Sequence, residues 1–307
     1  MKKLIFTAVV VLALLGSADA FAPLKVVTTT QDLGSIAKEI GGDKVAVESL
    51  AQGYQDPHFV EAKPSFILKL HGADLLIAVG RELETAWLPP LVNQSRNPRI
   101  QPNGGRYLDA SQTAKILDIP AGQLTRAMGD VHPSGNPHYW LSPDNGRRIA
   151  QEIQKKLTAI SPDAAAYFAQ RYAEFDRRLA ESEKKWAAAM APYKGVKVVT
   201  YHRSWPNFTD AFGLNVVGYV EPKPGIPPSP SHTLELIQEM KRQQVKVILV
   251  EPYFDRKTPD AIARETGAQV VVLAPSVGAE KEVTDYFKLF DYNVNRVANA
   301  IKQTGAK

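Results

Sequence analysis

The stretch 161-SPDAAAYFAQRYAEFDRRLAESEKKWAAAMAP-192 decides how the chain is divided. Ser161 suits an N-cap and Pro162 a first helical position, where the missing proline N–H costs nothing. Phe168, Tyr172, Phe175, Leu179, Trp186 and Met190 then recur at spacings of three, four or seven, which lays them on one helical face. Helix formers fill the rest, so the pattern predicts one helix about 45 Å long at about 1.5 Å per residue. A flexible linker would be rich in Gly and Ser. This segment reads instead as a rigid spine between two lobes.

Outward from the spine, short β-branched runs recur on both sides. They are 25-KVVTT-29, 45-VAVESL-50 and 74-DLLIAV-79 before it, and 196-VKVVTY-201, 215-NVVGYV-220, 245-VKVILVE-251 and 269-QVVVLA-274 after it. Near-continuous apolar runs of this length suit parallel strands buried on both faces. Helical patterns over 32–41, 64–71, 145–159, 232–243 and 259–266 separate them. Alternation of this kind predicts an α/β fold with right-handed crossovers. We therefore expect a signal peptide over 1–20, an N-terminal α/β lobe over 21–160, the linking helix over 161–192 and a C-terminal α/β lobe over 193–307. Segments 51–58, 98–138 and 221–232 are rich in Gly, Pro and polar residues and read as loops. The first and third follow strands directly, at the carboxyl ends where open α/β sheets bind ligands.

The N-terminus has its own signature. Met1, Lys2 and Lys3 precede an apolar run from Leu4 to Leu15, which is too short to span a bilayer that needs about 20 residues. The small residues of 18-ADA-20 follow, and the pattern predicts a secretory signal peptide cleaved before Phe21. The chain has no cysteine, which excludes disulfides, thiolate metal sites and a Cys nucleophile. It also removes the residue that a lipid anchor would use, so the expectation is a freely soluble periplasmic protein that is not a lipoprotein. Net charge is +5 from 37 basic and 32 acidic residues, interspersed rather than blocked, which excludes a nucleic-acid track.

Six histidines remain to be sorted: His58, His71, His132, His138, His202 and His232. His71 ends a helical pattern before Gly72, where the helix dipole accounts for it. His58 lies in 55-QDPHFVE-61, one loop after a strand; His138 lies in 135-GNPHYWLSP-143, between Pro137 and Pro143; His202 directly follows strand 196–201. Three neutral imidazoles from distant segments can make a zinc site where thiolates are absent. His132 reads as a solvated loop residue, with an outer-ligand role as the alternative. His232 opens a helix and reads as a local hydrogen-bonding residue.

Taken together, DPH at 56–58, NPHYW at 136–140, YHRSW at 201–205 and VEPYF at 250–254, with the signal peptide and the long helix over 162–191, resemble the zinc- and manganese-binding family of ABC-transporter solute-binding proteins. The resemblance covers essentially the whole mature chain. It implies two (β/α) lobes joined by a rigid backbone helix, with the metal in the cleft between them. It implies ligation by His58, His138 and His202, and a partner permease in the inner membrane driven by a cytoplasmic ATPase. The chain is expected to act as a monomer.

One departure leaves the fourth ligand open. Many members of that family carry a metal-binding Asp near the C-terminus in an Asp-Ser pair close to a Gly; the matching stretch here is 273-LAPSVG-278, with Pro275 in that place. Glu251, at the end of strand 245–251, is the first candidate, and orienting a histidine is its alternative role. Asp56, Glu61 and water are the others; Asp56 also reads as a turn residue before Pro57, and Glu61 as a solvated charge. Three nitrogens and at most one carboxylate oxygen favour Zn2+, with Mn2+ second because manganese prefers oxygen. Two other classes compete. A secreted zinc hydrolase could use three histidines and a bound water, but no HExxH and no GxSxG occurs. A siderophore or corrinoid receptor would need a broad cleft, for which Tyr54, Trp140, Trp205 and Tyr253 are the available aromatics.

Overall fold

The computed structural model describes residues 22–122, 129 and 131–306. The expected signal peptide over 1–20 and its cleavage point lie outside them. The near-continuous apolar runs form strands, as their burial on both faces requires. In the N-terminal half these are β1 (Leu24–Thr28), β2 (Val45–Ser49), β3 (Leu75–Ala78) and β4 (Tyr107–Asp109), in a parallel sheet of order β2-β1-β3-β4. The C-terminal half repeats the arrangement with β5 (Lys197–Thr200), β6 (Asn215–Tyr219), β7 (Val247–Val250) and β8 (Gln269–Val272), in the order β6-β5-β7-β8. All four residues of β3 and of β7 are buried. In each sheet the chain leaves the first strand to one side and returns to its other side, creating a switch point where the carboxyl-end loops diverge.

Nine α-helices appear among the described residues: α1 (Gln31–Gly41), α2 (Pro64–His71), α3 (Leu88–Gln94), α4 (Pro143–Ile160), α5 (Ala165–Met190), α6 (Pro206–Phe212), α7 (Pro230–Gln243), α8 (Lys257–Thr266) and α9 (Tyr286–Thr304). The spine is α5, whose 26 residues give a length of about 39 Å. It is shorter than predicted because Pro162–Ala164 form a 3-10 turn and the Ser161 side chain makes no capping bond. Strand β4 and helices α3, α6 and α9 were not marked by the sequence patterns. Three residues of β4 are too few to show a period. The α9 stripe was legible, with Asp285 accepting from the Phe287 and Lys288 amides as a cap.

The spine is fastened to both halves. Its apolar face buries Phe168, Phe175, Leu179, Trp186 and Met190. Phe175 meets Phe287 edge-on at 5.3 Å, and Trp186 lies 4.9 Å from Phe290, both on α9. On the other side Arg178 pairs with Glu39 of α1 at 2.9 Å, and Arg147 of α4 bridges Asp176 and Glu183. One apolar cluster therefore runs from α1 and β1 through α5 to β7 and α9. The loop after β8 is clasped to the first half: the Asp32 carboxylate accepts from the Val277 amide at 2.9 Å and pairs with the Ser276 hydroxyl, while Trp140 Nε1 donates to the Pro275 carbonyl at 3.0 Å. Packed seams of this kind oppose wide hinge closure.

Candidate metal centre

Each of the three expected histidines is aimed by a polar neighbour, on the same short segment for His58 and His138 and from the loop after β6 for His202. His58 sits in the loop after β2, where Asp56 accepts from its backbone N–H at 3.0 Å and from Nδ1 at 2.7 Å. Trp87 Nε1 pins that loop by donating to the Pro57 carbonyl at 2.9 Å. His138 precedes the turn Tyr139–Leu141, and the Asn136 amide oxygen accepts from its backbone N–H at 2.9 Å and from Nδ1 at 3.1 Å. The Asn136 amide nitrogen reaches across to the Arg203 carbonyl at 2.6 Å, tying this segment to the residue after His202. His202 follows β5, and its Nδ1 donates to Glu221 at 2.7 Å.

The acceptors at Nδ1 assign the same tautomer to all three rings, with the Nε2 lone pair left over. His138 Nε2 is buried and makes no hydrogen bond. Ring centroids are 5.1 Å apart for His58 and His138, 5.5 Å for His58 and His202, and 5.6 Å for His138 and His202. One nitrogen from each lies within 4.8 Å of the others. A tetrahedral zinc with Zn–N bonds of about 2.0–2.1 Å needs nitrogens about 3.3–3.4 Å apart, so small ring movements close the set. Burial, then the neighbouring imidazoles, push His138 well below its ordinary range, which keeps it a neutral donor. Burial alone would raise the Asp56 carboxyl, but the hydrogen bond and charge of His58 hold it below its usual value. Outer carboxylates of this kind fix the tautomer and raise the basicity of a ligating histidine.

The structure does not bring Glu251 into this group. Its carboxylate is fully buried at the end of β7 and makes no hydrogen bond. Burial pushes it up to about 8. Its ordinary value is 4.5, so the metal-free fold retains a proton that the unfolded chain has lost, and stability falls as pH rises from 4.5 to about 8. Glu251→Gln should remove that slope; urea unfolding at about pH 5 and about pH 8 checks this, and an unaltered slope would refute it. Glu61 is exposed. Sequence reasoning missed Glu221 and weighed His132 chiefly as a solvated loop residue, with an outer-ligand role as the alternative. Glu221 carried a weak signal, an acid directly after the strand that neighbours β5. His132 is not the solvated residue expected: its Nε2 lies 3.2 Å from His58 Nε2. His71 and His232 bond the backbone carbonyls of Ser95 and Tyr219, at 2.8 and 3.0 Å.

Two parallel-sheet lobes, a packed spine and imidazoles meeting at their seam make a frame suited to holding a metal ion, and the comparisons place it among the metal-binding substrate-binding proteins of ABC transporters. The family of ZnuA, described as zinc-uptake complex component A, periplasmic, matches residues 26–300, and the chain belongs to that family. It is 26% identical over 295 residues to the metal ABC transporter substrate-binding lipoprotein FimA of Streptococcus parasanguinis, covering 94% of this chain and 92% of that protein. It is 26% identical to the manganese ABC transporter substrate-binding lipoprotein PsaA of Streptococcus pneumoniae, covering 91% and 89%. It is 24% identical to the zinc-binding lipoprotein AdcA of the same species, spanning 94% of this chain but 58% of AdcA. Among solved structures, a crystal structure of ZnuA superposes with a TM-score of 0.76 at 26% identity, covering 91% of this chain and 99% of that one.

These relatives correct one expectation. A free periplasmic protein that is not a lipoprotein was read from the missing cysteine, yet FimA, PsaA, AdcA and SloC, each aligned over nine-tenths or more of this chain, are named as lipoproteins. The physical reason is that lipidation is a covalent modification, which the packing of the described residues does not report.

Proposed function

We propose that the protein captures Zn2+ between its lobes on His58, His138 and His202 and delivers it, as a single chain, to the permease of an ABC importer. The observation that carries this reading is the convergence of three imidazoles whose Nδ1 atoms are all occupied, at a seam joined by a rigid spine. The choice of zinc rests on the donors. All three are nitrogens, whereas manganese prefers oxygen-rich sites. The relatives are named for both metals. Trp140 and Trp205 are buried in the packing, so neither offers a face on which a broad organic ligand could stack. Among the described residues, no helix is long and apolar enough to cross a membrane.

Calorimetric titration of the metal-stripped protein tests this. Zinc should bind 1:1 and at least about tenfold more tightly than manganese, with no turnover of model esters or peptides. Tighter manganese binding, or ester hydrolysis that scales with zinc loading, would overturn it. Protons compete for the same lone pairs, so affinity should drop as pH falls through the histidine range, by at least about tenfold between about pH 7.5 and about pH 5.5. A pH-independent affinity would place the metal on other donors.

A further inference from the structure

We infer that His132 is the fourth zinc ligand, closing an all-imidazole site; this rests on the three-histidine reading above. His58 Nδ1 is committed to Asp56, so Nε2 is the atom it offers a cation, and His132 Nε2 stands 3.2 Å from that atom. That separation matches the edge of a zinc tetrahedron, about 3.3–3.4 Å for Zn–N bonds of about 2.0–2.1 Å. The His132 ring centroid is 5.3 Å from that of His58, the same spacing as the other ring pairs of the centre. With His138 and His202 it also lines the small cavity at the seam.

Two of the nearby carboxylates are already engaged. Asp56 holds His58 and Glu221 holds His202. Glu251 bonds none of these rings, and the three-ring group itself holds neither it nor His132, so the approach of His132 to His58 is what separates them. In the loop after β8, Pro275 has no donor side chain, its carbonyl accepts from Trp140, and the Ser276 hydroxyl is spent on Asp32. The His132 segment, by contrast, is latched in place. The Ser134 hydroxyl donates to Glu82 at 2.7 Å, Arg81 Nη1 donates to the Ser134 carbonyl at 3.2 Å, and Arg81 Nε donates to Ser111 at 3.1 Å. Arg81 and Glu82 hold φ of 52° and 62°, left-handed values that strain residues with a side chain. Gly135, at φ 96°, lets its amide return to the His132 carbonyl at 3.1 Å. The chain thus holds a strained corner whose side chains grip the segment carrying His132.

Four neutral nitrogens would leave the ion's double charge to the two outer carboxylates, Asp56 and Glu221. Such a site selects borderline-soft ions such as Zn2+ and Co2+ and disfavours Mn2+, which would find no direct oxygen.

The test uses Co2+ and Zn2+ alone with the metal-stripped protein. His132→Ala should stay folded by circular dichroism, still bind one metal, and lose at least about tenfold in zinc affinity. The visible ligand-field bands of its Co2+ form should shift and weaken as a water oxygen replaces nitrogen, and added imidazole should restore them in His132→Gly. Glu251→Gln should change neither affinity nor spectrum. A His132→Ala protein with wild-type affinity and spectrum overturns the inference, as does a Glu251→Gln protein that shows the losses instead. Should His58→Ala, His138→Ala and His202→Ala also bind like wild type, the three-histidine reading itself has failed, which is a separate outcome.

Discussion

Replacing His138 by alanine is expected to lower zinc affinity by more than about 100-fold, beyond the roughly 10–100-fold loss typical of outer partners. His138 is 2% exposed, its Nδ1 is held by Asn136, and its Nε2 has no partner. An imidazole nitrogen left bare in the interior is destabilising unless something fills the vacancy. A cation shared with His58 and His202, as proposed above, would do so. Affinity and stability should therefore separate: the metal-free variant sheds an unsatisfied nitrogen and stays folded while its zinc binding collapses. His58→Ala and His202→Ala should follow, each by at least about tenfold. Competition against a chelator of known affinity measures all three. A His138→Ala protein within roughly threefold of wild type would remove this ring from the centre.

The second large effect concerns the frame. Trp186→Ala should cost about 3–5 kcal/mol of unfolding free energy. The indole is 3% exposed, packs on Phe290 at 4.9 Å, and donates from Nε1 to Asp291 at 2.9 Å. Truncation empties a large volume in the cluster that α5 shares with α9 and strips a partner from Asp291. Urea unfolding of the metal-free protein measures the loss as a shifted midpoint. The histidines lie in loops at the sheet ends, so the folded variant should keep its zinc affinity. Zinc at about 100 times its dissociation constant should then recover about 2.7 kcal/mol. A loss below about 1 kcal/mol would mean that the spine does not hold the lobes together.

Much of this architecture was legible beforehand because apolar periodicity is a local property. The runs DLLIAV and VKVILVE became β3 and β7, each buried throughout, and the Phe168-to-Met190 stripe became the packed face of α5. The start of α5 was misplaced by a few residues, since Ser161 and Pro162 suit a cap whether the following turn is α or 3-10. Helix α9 went unmarked although Asp285 and its apolar stripe were there to read. His58, His138 and His202 could be picked out because each sits beside a strand end or a proline-fixed turn.

The sequence by itself determined the class of fold, the spine and the three candidate rings, because burial patterns and turn chemistry are written over a few consecutive residues. Only the tertiary structure decided which acids serve those rings and which stand apart. Glu221 meets His202 because β6 lies beside β5, whereas Glu251, next after β7, is buried without a hydrogen bond and is not in the ring cluster. His132 meets His58 across 74 residues of intervening chain, through a corner at Arg81 and Glu82 that no local pattern announces. Ligation depends on the convergence of separate loops to within a few ångströms, and such convergence is a property of packing between elements rather than of any one of them.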